Sequence, residues 1–170
     1  MATTYTLIDK TEVGSGGTSS ITFTSIPTTY TDLLVKLSLR GNDNSRVATW
    51  INITFNGSSS NRSWKRVYGT GSAALSESDT TMRLGSVNAN ASTSNTFGNA
   101  ELYIPNYLSS NYKSASGDGV AETNATATQL DLNANLWSNT AAINEITFAP
   151  GDGTGWLQYS SAYLYGIKNS

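Results

Sequence analysis

The sequence predicts an all-β chain: an antiparallel β-sandwich, jelly-roll-like, of roughly ten short strands with negligible helix. Three observations carry the prediction. Apolar residues return at every second position in stretch after stretch. Clusters of Gly, Asn, Asp and Ser separate those stretches, and no segment sustains a helical period. The 170 residues read as a single domain, 1–170, and a domain of that size buries on the order of 70% of its unfolded surface, enough to hold a core without staples.

Each alternation implies a strand with one buried and one wet face. "TYTLI" at 4–8 is the first, and "GSGG" at 14–17 reads as a hairpin loop leading to "SSITF" at 19–23. "TYTDLL" at 29–34 could form one helical turn. "LLVKLSLR" then sets Leu33, Val35, Leu37 and Leu39 against Lys36, Ser38 and Arg40, and "TWINITF" sets Ile51, Ile53 and Phe55 against Trp50, Asn52 and Thr54. In "SWKRVY" at 63–68, Trp64, Arg66 and Tyr68 share one face and Lys65 takes the other. "TMRLGSV" at 81–87 is a further strand and "NANASTSN" at 88–95 a loop.

"NAELYI" alternates Ala100, Leu102 and Ile104 with polar residues, and Pro105 ends it. In "LDLNANLW" the apolar set is Leu130, Leu132, Ala134 and Leu136, against Asp131, Asn133 and Asn135. "INEITF" at 143–148 follows, and "LQYSSAYLYGI" places Leu157, Tyr159, Tyr163, Tyr165 and Ile167 on one side. Gly117-Asp118-Gly119 and Gly151-Asp152-Gly153 read as turns rather than calcium loops, since Asp-Gly is a common turn dipeptide and calcium needs six or more oxygens. Lys36, Arg40, Lys65 and Arg66 read as charges that protect strand edges. A first strand paired with the last fits a Greek-key or jelly-roll path.

The composition narrows the chemistry. Histidine and cysteine are absent, which removes the commonest general base, thiolate metal sites and disulfides. "GSGGTSS" lacks the lysine of a phosphate loop. Glu77, Asp79, Glu101, Asp118 and Glu122 are the acids from which a hydrolytic pair could be drawn; the expectation is solvated surface acids and no enzyme, cofactor or metal. A net charge of -2 argues for neither nucleic acid nor membrane as partner. "MATTYTLIDK" has no basic segment followed by an apolar one, so synthesis in a cytoplasm is expected.

Several stretches in order, "YTLIDKTEVGSGGTSSITFTSIPTTYTDLLVKLSLR", "ITFNGSSSNRSWKRVYGTG", "NTFGNAELYIPNY", "LWSNTAAINEITFAPGDG" and "AYLYGI", resemble a group of small structural proteins of tailed phages, frequent in marine and cyanobacterial viruses. The resemblance runs from Tyr5 to Ile167 and rests on fold motifs. It implies a non-enzymatic virion component. A head decoration or cement protein seated on the major capsid protein as a homotrimer is one expectation; a tail fibre or receptor-binding module on host glycans is the alternative. The basic stretch nominates Arg62, Trp64, Lys65, Arg66 and Tyr68 for capsid docking. Tyr159, Tyr163 and Tyr165 are nominated for a subunit interface, and Trp50, Trp64 or Trp137 for a sugar platform.

Overall fold

The computed structural model describes residues 4–124 and 128–168, and among them there is no helix. The strands are β1 (Tyr5–Glu12), β2 (Ile21–Phe23), β3 (Asp32–Leu39), β4 (Ala48–Phe55), β5 (Arg62–Gly69), β6 (Ala74–Asp79), β7 (Arg83–Asn88), β8 (Gly98–Ile104), β9 (Lys113–Ala121), β10 (Gln129–Trp137), β11 (Ile146–Pro150) and β12 (Ser161–Ile167). They form an antiparallel β-sandwich. An eight-stranded sheet has the order β1-β12-β3-β8-β9-β10-β5-β6, and a four-stranded sheet has the order β2-β11-β4-β7.

The path through the sheets has a pattern. β1, β2, β3 and β4 alternate between the two sheets, and so do β7, β8, β11 and β12. Two excursions, β5–β6 and β9–β10, leave this path and extend the larger sheet beyond β8. The predicted pairing of first and last strands is present, with Tyr5 opposite Ile167. The loop at 14–17 joins β1 to β2 in the other sheet, so it is a crossover and not a hairpin.

The core lies between the sheets. From the larger sheet come Leu33, Val35, Leu37, Leu102, Ile104 and Leu164; from the smaller come Ile21, Phe23, Ile51, Ile53, Phe55, Ile146 and Phe148. β3, β4 and β8 thus bury the residues their alternation marks. Residues 29–34 form no helical turn. Asp32 opens β3, and its carboxylate accepts the Tyr103 hydroxyl at 2.8 Å and the Asn106 N–H at 2.8 Å.

Two strands were not legible as such. β6 reads "ALSESD" and lies exposed along the far edge of the larger sheet. β9 reads "KSASGDGVA" and contains Gly117-Asp118-Gly119, which is the middle of a strand and not a turn. The reason is close packing of the two sheets. A Cβ on Gly119 would lie 2.8 Å from Gly85 Cα, and one on Gly117 would lie 2.2 Å from Leu84 Cδ1. Glycine is the residue that lets β7 approach β9 this closely. Gly151-Asp152-Gly153, by contrast, does form a bend after β11, with Gly153 at φ 80°.

β10 inverts the expected pattern. Leu130, Leu132 and Leu136 face solvent at 59, 61 and 36% exposure, while Asp131, Asn133 and Asn135 are buried. The cause is β7, which is an edge of the smaller sheet yet lies inside the protein, so its free backbone groups are cut off from water. Side chains of β10 complete it. Asp131 Oδ2 accepts the Ser86 N–H at 3.0 Å. The Asn135 carboxamide accepts the Arg83 N–H at 3.0 Å and donates to the Arg83 carbonyl at 2.9 Å. An orphaned buried peptide group costs about 1–3 kcal/mol, so polar residues win the inner face and the leucines turn outward.

The edges also differ from expectation. Lys36 lies on β3, and Lys65 and Arg66 on β5, all interior to the larger sheet, whose edges are β1 and β6. Arg40, just beyond β3, is buried.

Two expected outcomes follow from this packing. Asn135→Leu should destabilise the fold by roughly 2–4 kcal/mol in chemical denaturation, through two lost hydrogen bonds and an uncompensated strand edge, whereas Leu132→Ser should stay within about 0.5 kcal/mol of the parent. Gly119→Ala should cost about 1–3 kcal/mol or more by overpacking against Gly85.

Candidate functional site

β5 divides the nominated docking residues between the two sides of the larger sheet. Trp64, Arg66 and Tyr68 point inward, as their shared face requires, and Trp64 and Arg66 are buried. Arg66 is ion-paired to buried Asp131 and to Glu77, the latter at 3.0 Å. Its guanidinium carbon sits 3.9 Å from the Trp50 ring centroid and 3.5 Å from that of Tyr68. Trp64 meets Trp50 edge-on at 5.9 Å and donates its indole N–H to Asn133 Oδ1 at 2.9 Å. Tyr68, half-buried, donates to Glu77 Oε1 at 3.0 Å. Burial and the neighbouring Glu77 push the Tyr68 hydroxyl above its usual value.

This cluster is structural. Arg66 and Trp64 cannot meet a partner while the fold is intact, so the nomination of both for docking is corrected: the buried carboxylate of Asp131 and the Trp50 ring hold them inside. Arg62 is half-buried at the start of β5. Lys65 is the nominated residue that does look outward, on the solvent face of β5.

That solvent face is a continuous surface. One cross-strand row runs Tyr163, Lys36, Glu101, Asp118, Leu132, Val67 and Ser76. The next runs Tyr165, Leu34, Tyr103, Ser116, Ala134, Lys65 and Ser78. At one end Leu130, Leu132 and Val67 are largely exposed around a shallow hollow. At the other, Tyr5, Leu34 and Tyr165 line a second hollow with Lys36 and Glu101. An ion pair between Lys36 and Glu101 stands between them. Exposed apolar side chains are thus gathered on one sheet face.

Tyr163 and Tyr165 belong to this face. Tyr159 does not: it precedes β12, its φ of 70° breaks the alternation, and Ser160 beside it is buried. The tryptophans nominated as sugar platforms are unsuited to that task. Trp64 and Trp137 are buried, and Trp50 is covered by Arg66.

The candidate acids are each accounted for. Glu77 holds Arg66, and Asp79 holds Arg83 at 2.8 Å. Glu101 and Asp118 are cross-strand neighbours on the open outer face, with Glu101 tied to Lys36. Glu122 accepts the Asn124 N–H at 2.7 Å. Among the described residues no group of three or more Asp, Glu, His or Cys is placed to hold a metal ion. Asp152 pairs with Arg46 at 3.3 Å.

No protein-family model, curated protein or solved structure matches this chain.

The Thr81 backbone N–H, joined by that of Thr80 and by the Arg83 charge, outweighs desolvation and holds the Asp79 carboxyl below its usual value. Because the folded value is depressed, this contribution to stability is complete above the ordinary carboxylate range, near pH 4, and is lost as pH falls through the depressed value. Thermal melts of Asp79→Asn should therefore show a flatter acid limb than the parent. Arg66→Glu should lower stability by about 3–5 kcal/mol, because it sets like charges against buried Asp131.

Proposed function

We propose that this chain is a non-enzymatic structural protein of tailed-phage virions, a decoration protein that seats the outer face of its larger sheet on the major capsid protein and stabilises the mature head. The observation that carries the reading is the outward row of β10. Leu130 and Leu132, with Val67 beside them, expose apolar side chains at outward positions that polar residues would fill without loss to the core. Lys65, on the same face, supplies a cation at the rim of the patch.

The winding supports the reading. With the two excursions set aside, the order β1-β12-β3-β8 over β2-β11-β4-β7 supports a jelly-roll reading, an architecture used by viral capsid and lectin domains. Fold analogy of this kind is a weaker support than the exposed face. The resemblance of the sequence stretches to phage structural proteins points the same way.

A clamp that binds only the mature arrangement of the shell stabilises that arrangement by mass action. Copies of the chain joined into a homotrimer through Tyr163 and Tyr165 would multiply weak contacts by avidity. Charge at the rim sets encounter rate, and packed apolar residues set residence time.

The test uses undecorated phage heads and the purified chain. Leu132→Asp combined with Val67→Asp should abolish sedimentation with heads while the far-UV spectrum stays that of the parent. Lys65→Glu should slow association and weaken its salt dependence. Binding of the double variant equal to the parent's would overturn the assignment of this face, and a parent chain that never sediments with heads would overturn the decoration reading.

A further inference from the structure

The connections β1–β2, β3–β4, β7–β8 and β11–β12 converge at one end of the sandwich, where they enclose a cleft of about 720 Å³. We propose that this cleft binds an uncharged oligosaccharide, with Tyr159 as the stacking platform and Gln158, Asn95 and Ser94 as hydrogen-bonding wall. The proposal is independent of shell docking, because the cleft shares no residue with the outer face of the larger sheet.

The lining chemistry selects the ligand. No Asp or Glu lines the cleft, and its residues are mostly Ser, Thr, Gly, Asn and Gln, with Phe97, Trp156 and Tyr159 as the aromatics. Hydroxyls and carboxamides offer both donors and acceptors to vicinal sugar hydroxyls. An aromatic ring covers the C–H face of a pyranose. A combination of Tyr with Ser, Gly and Asn on converging loops is also the composition that recognition surfaces use for adaptable polar contact around rigid anchors.

Arg40 carries the one cationic side chain of the lining, and its charge is already committed. One terminal nitrogen donates to the carbonyls of Thr93 and Thr96 at 2.8 and 2.7 Å; the other donates to those of Asn90 and Ser92 at 3.3 and 3.1 Å. Peptide carbonyls, not an awaited anion, satisfy the terminal nitrogens. This favours a neutral ligand over an acidic one.

The cleft is also held in shape before any ligand arrives. Arg40 fastens the β7–β8 connection from beneath. Asn42 Oδ1 accepts the N–H groups of Thr154 and Gly155 at 2.9 and 3.1 Å, which ties the β3–β4 connection to β11–β12. Thr18 and Trp156 exchange two backbone hydrogen bonds, at 3.1 and 2.7 Å, which closes β1–β2 onto the same wall. A preformed cleft spares the ordering cost of binding.

Tyr159 is the second, separate observation. It is 64% exposed and stands at φ 70°. The other described non-glycine residues at positive φ are Asn or Ser. A bulky side chain in that region is a strained choice that glycine would relieve, and such strain gathers at ligand sites. The backbone there is fixed by the Tyr159 N–H donating to the Val13 carbonyl at 2.9 Å and by the Val13 N–H donating to that of Ser160 at 2.8 Å. The ring is largely exposed and lines the cleft.

The experiment is a printed array of neutral and sialylated oligosaccharides probed with the full chain, followed by calorimetric titration of the best binder. The expected result is binding to neutral glycans. Tyr159→Gly should weaken it at least about tenfold while the melting temperature stays level or rises, since the strain is removed. Gln158→Ala should weaken it several-fold with unchanged stability. Leu132→Asp should leave it unaltered, which separates this site from shell docking. Absence of any glycan bound at about millimolar concentration, preference for sialylated ligands alone, or parental affinity in both Tyr159→Gly and Gln158→Ala would overturn the proposal. If Tyr159→Gly fails to fold, Gln158→Ala decides alone.

Discussion

A strand edge enclosed within a protein must be finished by something other than water, and β7 is such an edge. β4 is the one named strand it pairs with; on its other side Asn88 at its end bridges Arg40, and the rest faces β10 of the opposite sheet. Asp131 and Asn135 finish it with side chains. Much else follows from that. The polar residues of β10 must face inward, so its leucines face outward. Asp131, once buried, requires a cation, which Arg66 supplies; Arg66 in turn lies against Trp50 and Tyr68. Gly85 and Gly119 let the strands come close enough for these short side chains to reach.

The sequence was most informative where sheet faces obey a simple partition. β3, β4 and β8 each have one face in the core, and their period-two pattern names it correctly. It misled at β10, where the alternation is equally strict but its sense is reversed. Periodicity reports that two faces differ; it does not report which one is inside when the interior demands hydrogen bonds. β9 was hidden for a related reason. Its small residues serve a close approach between sheets, and small residues also make turns.

The site was legible in part. The alternation in β5 correctly placed Lys65 opposite Trp64, Arg66 and Tyr68, but charge density could not reveal that Arg66 has a buried partner 65 residues away in the chain. The outer tyrosines could be grouped from sequence because Tyr163 and Tyr165 lie two apart on one strand. Tyr159 could not be separated from them, since its positive φ leaves no mark in composition. The end cleft was equally invisible: its walls come from four connections widely spaced along the chain, and only the winding brings them together.

The pairing of β1 with β12 sets how the protein can carry load. The two strands run antiparallel with Tyr5 opposite Ile167. Tension applied between those two positions would open their hydrogen bonds one at a time, as in a zipper, with no set of bonds sheared together. Force delivered through the sheet faces meets many interlocked side chains at once. The fold is weak as a link in a chain and strong as a plate.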